Sequence, residues 1–146
     1  MAYAFDPEAI WQPFGAFSQL VIAGKGQPLH LKGQVALNRD GIVVGKSDMR
    51  AQLRQVLDNI QAVLKSVGGE MTDVLSLTHF TTDIAAFIQV SDIRSAYFRP
   101  PYPATTTVEV KALYHPDLML EITAAAEVPR DRFVMPLGAA RFHGGG

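Results

Sequence analysis

Apolar positions recur along this chain with two different periods. Between residues 48 and 67, Met49, Leu53, Val56, Leu57, Ile60, Val63, Leu64 and Val67 fall three or four apart. That spacing lays one apolar stripe along an α-helix. Ser47 or Asp48 can cap its start. Gly68-Gly69 ends it, because glycine adopts the left-handed conformation freely. A second helix is predicted from Asp83 to about Phe98, with Ala86, Val90, Ile93 and Tyr97 turned inward. The run Pro100-Pro101-Tyr102-Pro103 stops it.

Elsewhere the period is two. In residues 118–128, Leu118, Leu120, Ile122, Ala124, Ala126 and Val128 alternate with Met119, Glu121, Thr123, Ala125 and Glu127. One face of that strand meets a dry core. Residues 74–81 and 105–113 are rich in β-branched residues and read as strands. Residues 17–23 and 29–37, joined by Gly24-Lys-Gly-Gln-Pro28, read as a hairpin. The order is β-β-α-β-α-β-β. Two helices cover only one face of such a sheet, so the fold class is α+β, a two-layer sandwich. In simple register the second face presents Lys32, Gln34, Thr105, Thr107, Glu109, Met119, Glu121 and Thr123, a half-polar surface suited to another subunit.

Composition narrows the function classes. The chain has 146 residues, a size for one domain, with a net charge of −1. Near neutrality disfavours nucleic-acid or acidic-membrane binding by bulk attraction. With no cysteine, disulfides, thiolate metal sites and cysteine nucleophiles are excluded. No apolar run approaches the roughly 18 residues of a membrane span, and the first residues carry no basic leader. A cytoplasmic protein is therefore expected. His30, His79, His115 and His143 are scattered, so no metal site is expected. His79 reads as a half-buried, hydrogen-bonded strand residue. Gly24-Lys-Gly26 reads as a turn and not a phosphate loop, and no nucleotide-binding fingerprint is present. The domain is expected over residues 1–130. Residues 131–146 read as a tail that frays or reaches a neighbouring subunit.

Several strings, in order, resemble the Rid/YjgF family of reactive-intermediate deaminases. Gly15-Ala-Phe17-Ser-Gln19 resembles its Gly-Pro-Tyr-Ser-Gln opening, and Lys32-Gly-Gln34 its Ser-Gly-Gln. Gln52, Asn59-Ile60, Leu64 and Gly68-Gly69 resemble its first helix. Asp73-Val74 and Phe80-Thr-Thr-Asp83 resemble its third strand. Tyr102-Pro-Ala104 with Val108-Glu-Val110 resembles its Pro-Ala-Arg strand, and Leu120-Glu-Ile122 its last. The resemblance covers about residues 11–128. It implies a chorismate-mutase-like fold and a homotrimer with a central β-barrel and three inter-subunit clefts. It also implies hydrolysis of enamines or imines to carbonyls and ammonia, with no cofactor, no metal, a small-molecule substrate and neither nucleic acid nor membrane as partner.

Carried over by position, Glu121 places the attacking water. Phe17, Lys32, Gly33, Ser91, Thr105 and Thr107 line the substrate site. The family's arginine is absent: its position is Thr105, and a hydroxyl cannot replace a guanidinium fork on a carboxylate. Phe17 stands for the family's tyrosine, Ser91 for an asparagine and Thr107 for a cysteine. Lys32 is expected to supply the missing cation or to pair with Glu121. The alternative function is a small-metabolite-binding regulator without turnover. A nuclease reading finds no basic, aromatic face to support it.

Overall fold

The long apolar stripe folds as α1, Met49–Lys65, with Met49, Leu53, Val56, Leu57, Ile60 and Leu64 buried. The Asp48 carboxylate accepts the Ala51 N–H at 3.1 Å and so caps the helix. At the far end Gly68 has φ 83°, and the Gly69 N–H turns back to Leu64 O at 2.8 Å. The structure is a computed structural model and describes residues 1–142. His143 and the last three glycines lie outside the described residues.

The strands are β1 Tyr3–Phe5, β2 Leu20–Ile22, β3 Gln27–His30, β4 Gln34–Val35, β5 Val74–Thr81, β6 Ala104–Glu109 and β7 Leu120–Val128. Five of them form the main sheet in the order β3-β7-β5-β6, with β4 also paired to β7. β5 and β6 run parallel, while β3, β4 and β5 are antiparallel to β7. Leu120, Ile122, Ala124, Ala126 and Val128 are all buried. They form the sheet's side of the core, and α1 packs against β7 and β4. The α+β two-layer class is as the periodicities predicted. No helix of the described residues is long and apolar enough to cross a membrane.

Three expectations are corrected. The predicted hairpin does not form: β2 pairs with the N-terminal β1, and β3 pairs with β7. The central, mostly apolar β7 offers β3 a buried partner, which a local hairpin would not. The second helix is broken into α2 Ile84–Gln89, a 3-10 turn Ser91–Ile93 and α3 Arg94–Tyr97. The break falls at Val90, with φ −105° and ψ 16°. There a β-branched residue precedes Ser and Asp, types that compete for backbone hydrogen bonds.

The third correction concerns the sheet faces. Leu77 lies opposite Thr105, His79 opposite Thr107 and Thr81 opposite Glu109. His79 in turn lies opposite the buried Ile122. Thr105, Thr107 and Glu109 therefore face the helix side, away from Glu121. Gln34 is also opposite Ile122, whereas Val35 is opposite Glu121.

The start of the tail is tied to its own chain. Arg132 donates to Gly68 O at 2.8 Å and to Asp73 Oδ1 at 2.6 Å. The Val134 N–H reaches Val67 O at 3.0 Å.

Candidate functional site

Glu121 stands on the sheet face turned away from α1, in register with Phe80 on one side and Val35 on the other. Between β3 and β4 the pairing slips by one residue: His30 meets Ala125, but Gln34 meets Ile122. The extra residue makes Leu31-Lys32-Gly33 bulge over β7. A Cβ built on Gly33 would collide with Glu121 Oε2 and lie 3.0 Å from its Cγ. Gly33 is therefore the seat of this carboxylate, and only a residue without a side chain leaves room for it. Among the described residues the Glu121 carboxylate has no hydrogen bond and no ion pair. Lys32 does not supply one: its Nζ lies 3.5 Å from Gly33 O, and the expected Lys32–Glu121 pair is not formed within the chain. Lys32 is exposed and free to turn elsewhere.

Thr105, Thr107, Ser91 and Phe17 lie on the opposite side or edge of the sheet. β6 is the edge strand, and among the described residues only a bridge from Ser18 to Ala104 continues the pairing beyond it. The Ser18 hydroxyl donates to Tyr102 O at 2.7 Å, and its N–H reaches Pro103 O at 3.0 Å. These bonds hold Phe17 beside the start of β6. Phe17 packs edge-on to Phe14 at 5.3 Å and to Trp11 at 5.9 Å between ring centroids. Trp11 and Phe14 were not singled out in the sequence, where both look like ordinary surface aromatics. A groove of about 640 Å³, lined by Phe17, Ser18, Gln12, Pro13, Pro101 and Tyr102 among others, opens beside them.

Two further residues stand in this half, one of them, Arg94, without a signal in the sequence. His79 is fully buried, where a half-buried histidine was expected. Its Nδ1 lies 2.9 Å from Thr107 Oγ1, within hydrogen-bond distance. Its Nε2 is enclosed without a partner among the described residues. Burial, reinforced by the positive charge of Arg94, pushes the imidazole down to about 3, so it is neutral near pH 7. Its ring lies 5.0 Å from that of Phe87 on α2. Arg94 Cζ sits 5.8 Å over the same Phe87 ring. Only the β-branched and aromatic surroundings of His79 were visible in the sequence, and they do not reveal Arg94 as a neighbour.

One chain therefore does not gather the predicted residues into one place. Lys32, Gly33 and Glu121 form one half, on the open face and its bulge. Phe17, Ser91, Thr105 and Thr107 belong to a second half along the β6 edge and the helix layer. No three His, Asp or Glu side chains among the described residues are arranged to hold a metal ion.

Other residues prominent in the sequence hold the fold. Gly24 and Gly26 donate their N–H groups to the Glu127 carboxylate at 2.7 and 2.5 Å. The Gly24 and Gly26 amides are thus occupied internally and are not an open phosphate cradle. Gln52 donates to Gly45 O and Asp117 O and accepts the Met119 N–H. Asn59 donates to Val35 O and Leu37 O, clamping the irregular strand after the bulge.

The fold and this split arrangement define a small α+β domain with a carboxylate on its open sheet face. The family pattern described as Endoribonuclease L-PSP matches residues 8–128. A RutC family protein from Pyrococcus horikoshii is 34% identical over 115 residues, covering 79% of this chain and 89% of its own length. A protein from Dermatophagoides farinae named 2-iminobutanoate/2-iminopropanoate deaminase is 30% identical, covering 70% and 78%. Among solved structures, a protein of the conserved Rid family from Yersinia pestis superposes with a TM-score of 0.80 at 32% identity, over 87% of this chain and 98% of its own. The chain belongs to the Rid/YjgF family.

Proposed function

We propose that the protein hydrolyses reactive imines or enamines to carbonyl compounds and ammonia, in clefts between the subunits of a homotrimer. The observation that carries this reading is the Glu121 carboxylate, seated over Gly33 and left without a partner among the described residues. An unpaired carboxylate on a sheet face is an acceptor ready to orient water. The relative named as an imine deaminase supports the same chemistry.

An imine carbon is already electrophilic, so the step needs neither a metal nor a cofactor to activate it. Water held by Glu121 adds to that carbon and the nitrogen takes a proton. The resulting carbinolamine collapses, breaking the C–N bond to release ammonia and leave the carbonyl. An enamine enters the same path after protonation at carbon. The second half, with Phe17, Ser91, Thr105 and Thr107, comes from the neighbouring copy and holds the substrate. Lys32, exposed beside Gly33, reaches across the same cleft.

A second reading has one specific support. Thr105 lacks the fork that holds a carboxylate, which suits a site that binds a metabolite without turnover.

The experiment is ammonia release from 2-iminobutanoate generated in situ by an amino-acid oxidase. Wild type is expected to exceed buffer, Glu121→Ala to lose at least tenfold, and Lys32→Ala to lose less. A wild-type rate equal to buffer sinks the enzyme reading. A ligand that raises Tm yet stays chemically unchanged then favours the binding protein.

A further inference from the structure

We propose that Arg94 is the anion-binding residue of this cleft, standing on α3 in place of the arginine that β6 lacks at Thr105. The inference rests on the imine-hydrolase reading and adds the residue that selects a carboxylate-bearing substrate.

The first ground is an unanswered charge. Arg50 forms a two-pronged pair with Asp92 at 2.9 and 3.0 Å. Arg132 reaches Asp73 and Gly68, and Arg130 reaches Lys25 O and Gln27. Arg94 differs. Its guanidinium forms no ion pair or hydrogen bond among the described residues. Those of Arg39, Arg54, Arg99 and Arg141 form none there either, but they are exposed to water, whereas Arg94 Nε is enclosed with no partner. A partly desolvated guanidinium without an acceptor is costly, and such groups concentrate at binding sites.

The second ground is position. Arg94 lies over Phe87. Phe87 packs on His79, and His79 reaches Thr107. These four residues make a continuous row from the helix layer to the edge strand, on the sheet side that Thr105 also faces. Ser91 precedes Arg94 by three residues, one helical turn, so the two are neighbours on that surface. His79, neutral in its pocket, puts no second cation into the row. The guanidinium fork suits a carboxylate by two parallel hydrogen bonds.

The test uses 2-oxobutanoate, the carbonyl product of 2-iminobutanoate hydrolysis, with 2-butanone as its uncharged counterpart. Affinities are measured by NMR titration for wild type, Arg94→Met and Arg94→Lys, and Tm is recorded without ligand. The expected result is at least tenfold weaker 2-oxobutanoate binding in Arg94→Met and an intermediate loss in Arg94→Lys, which keeps charge but not the fork. 2-Butanone binding should be unchanged. The Tm of Arg94→Met should stay within a few degrees of wild type, because the lost contact with Phe87 is offset by removal of an enclosed, unpaired Nε. Undiminished 2-oxobutanoate binding in Arg94→Met overturns the assignment. So does a Tm lowered beyond that range with equal loss of both ligands, which marks a structural role, or a wild type that does not bind 2-oxobutanoate. Absence of imine hydrolysis in wild type refutes the enzyme reading alone, since the binding comparison still judges Arg94.

Discussion

Replacing His79 by leucine should remove much of the protein's sensitivity to acid. The imidazole is fully buried, and burial together with Arg94 holds it at about 3. In the unfolded chain a histidine titrates near 6.5. The folded value lies below the unfolded one, so between those two pH values the unfolded chain binds a proton that the folded chain refuses. Stability is therefore intact above about pH 6.5, falls as pH drops towards 3, and changes no further from this group below that. Each pH unit is worth about 1.4 kcal/mol, so at about pH 4.5 the loss is roughly 2.7 kcal/mol. The full displacement sets an upper bound of about 5 kcal/mol. Carboxylates also contribute to acid unfolding, but they are common to both proteins and cancel in the difference. The assay is urea unfolding of wild type and His79→Leu at neutral pH and near pH 4.5, at one fixed protein concentration. The stability of the variant relative to wild type should improve by about 2–3 kcal/mol on acidification. Parallel pH dependences in the two proteins would refute the picture of a neutral, enclosed imidazole.

Gly33→Ala puts a methyl group where the Glu121 carboxylate lies. The carboxylate is the far end of a flexible side chain and can swing away, so Tm should move by only a few degrees while ammonia release falls at least tenfold. Full activity in this variant contradicts the seat assigned to Glu121. Gln52→Leu keeps the volume but strands the Met119 N–H and the carbonyls of Gly45 and Asp117. Urea unfolding should show a loss of roughly 2–4 kcal/mol, and a loss below about 1 kcal/mol contradicts it. Glu127→Ala frees the Gly24 and Gly26 amides, which should exchange hydrogen faster than in wild type; unchanged protection counts against the carboxylate as their anchor.

The elements that bury a continuous apolar face were legible in the sequence. The 48–67 stripe became α1 within two residues at each end. Residues 74–81 were placed without error, and the alternation of 118–128 predicted which side of β7 is dry. Elements whose partners are remote were not legible. β2 is three residues long, and nothing local says that it pairs with Tyr3–Phe5. The face of β6 was misread because Thr105, Thr106 and Thr107 are chemically alike, so their alternation carries no signal, and only pairing with β5 decides it. The same limit applies to the site. Glu121 and Gly33 stood out because each belongs to a recognisable string, and their contact turned out to be steric. Arg94 belongs to no string and is brought to Phe87 and His79 by the break at Val90, which the inward stripe of the second helix concealed. Gln52 and Asn59, prominent in the resemblance, pin backbone around the core. Much of what identifies the family in the sequence is therefore architecture.

The central claim is that each site takes Glu121 from one copy and the Thr105 side from another. The direct measurement is complementation between two inactive variants, Glu121→Gln and Thr105→Trp, co-expressed in equal amounts and assayed for ammonia release from 2-iminobutanoate. Each variant alone should be inactive. In randomly mixed trimers about a quarter of the clefts join an intact half from each parent, so roughly a quarter of wild-type activity should return. A mixed preparation as inactive as its parents, with mixed trimers confirmed by native mass spectrometry, would contradict a site shared between chains.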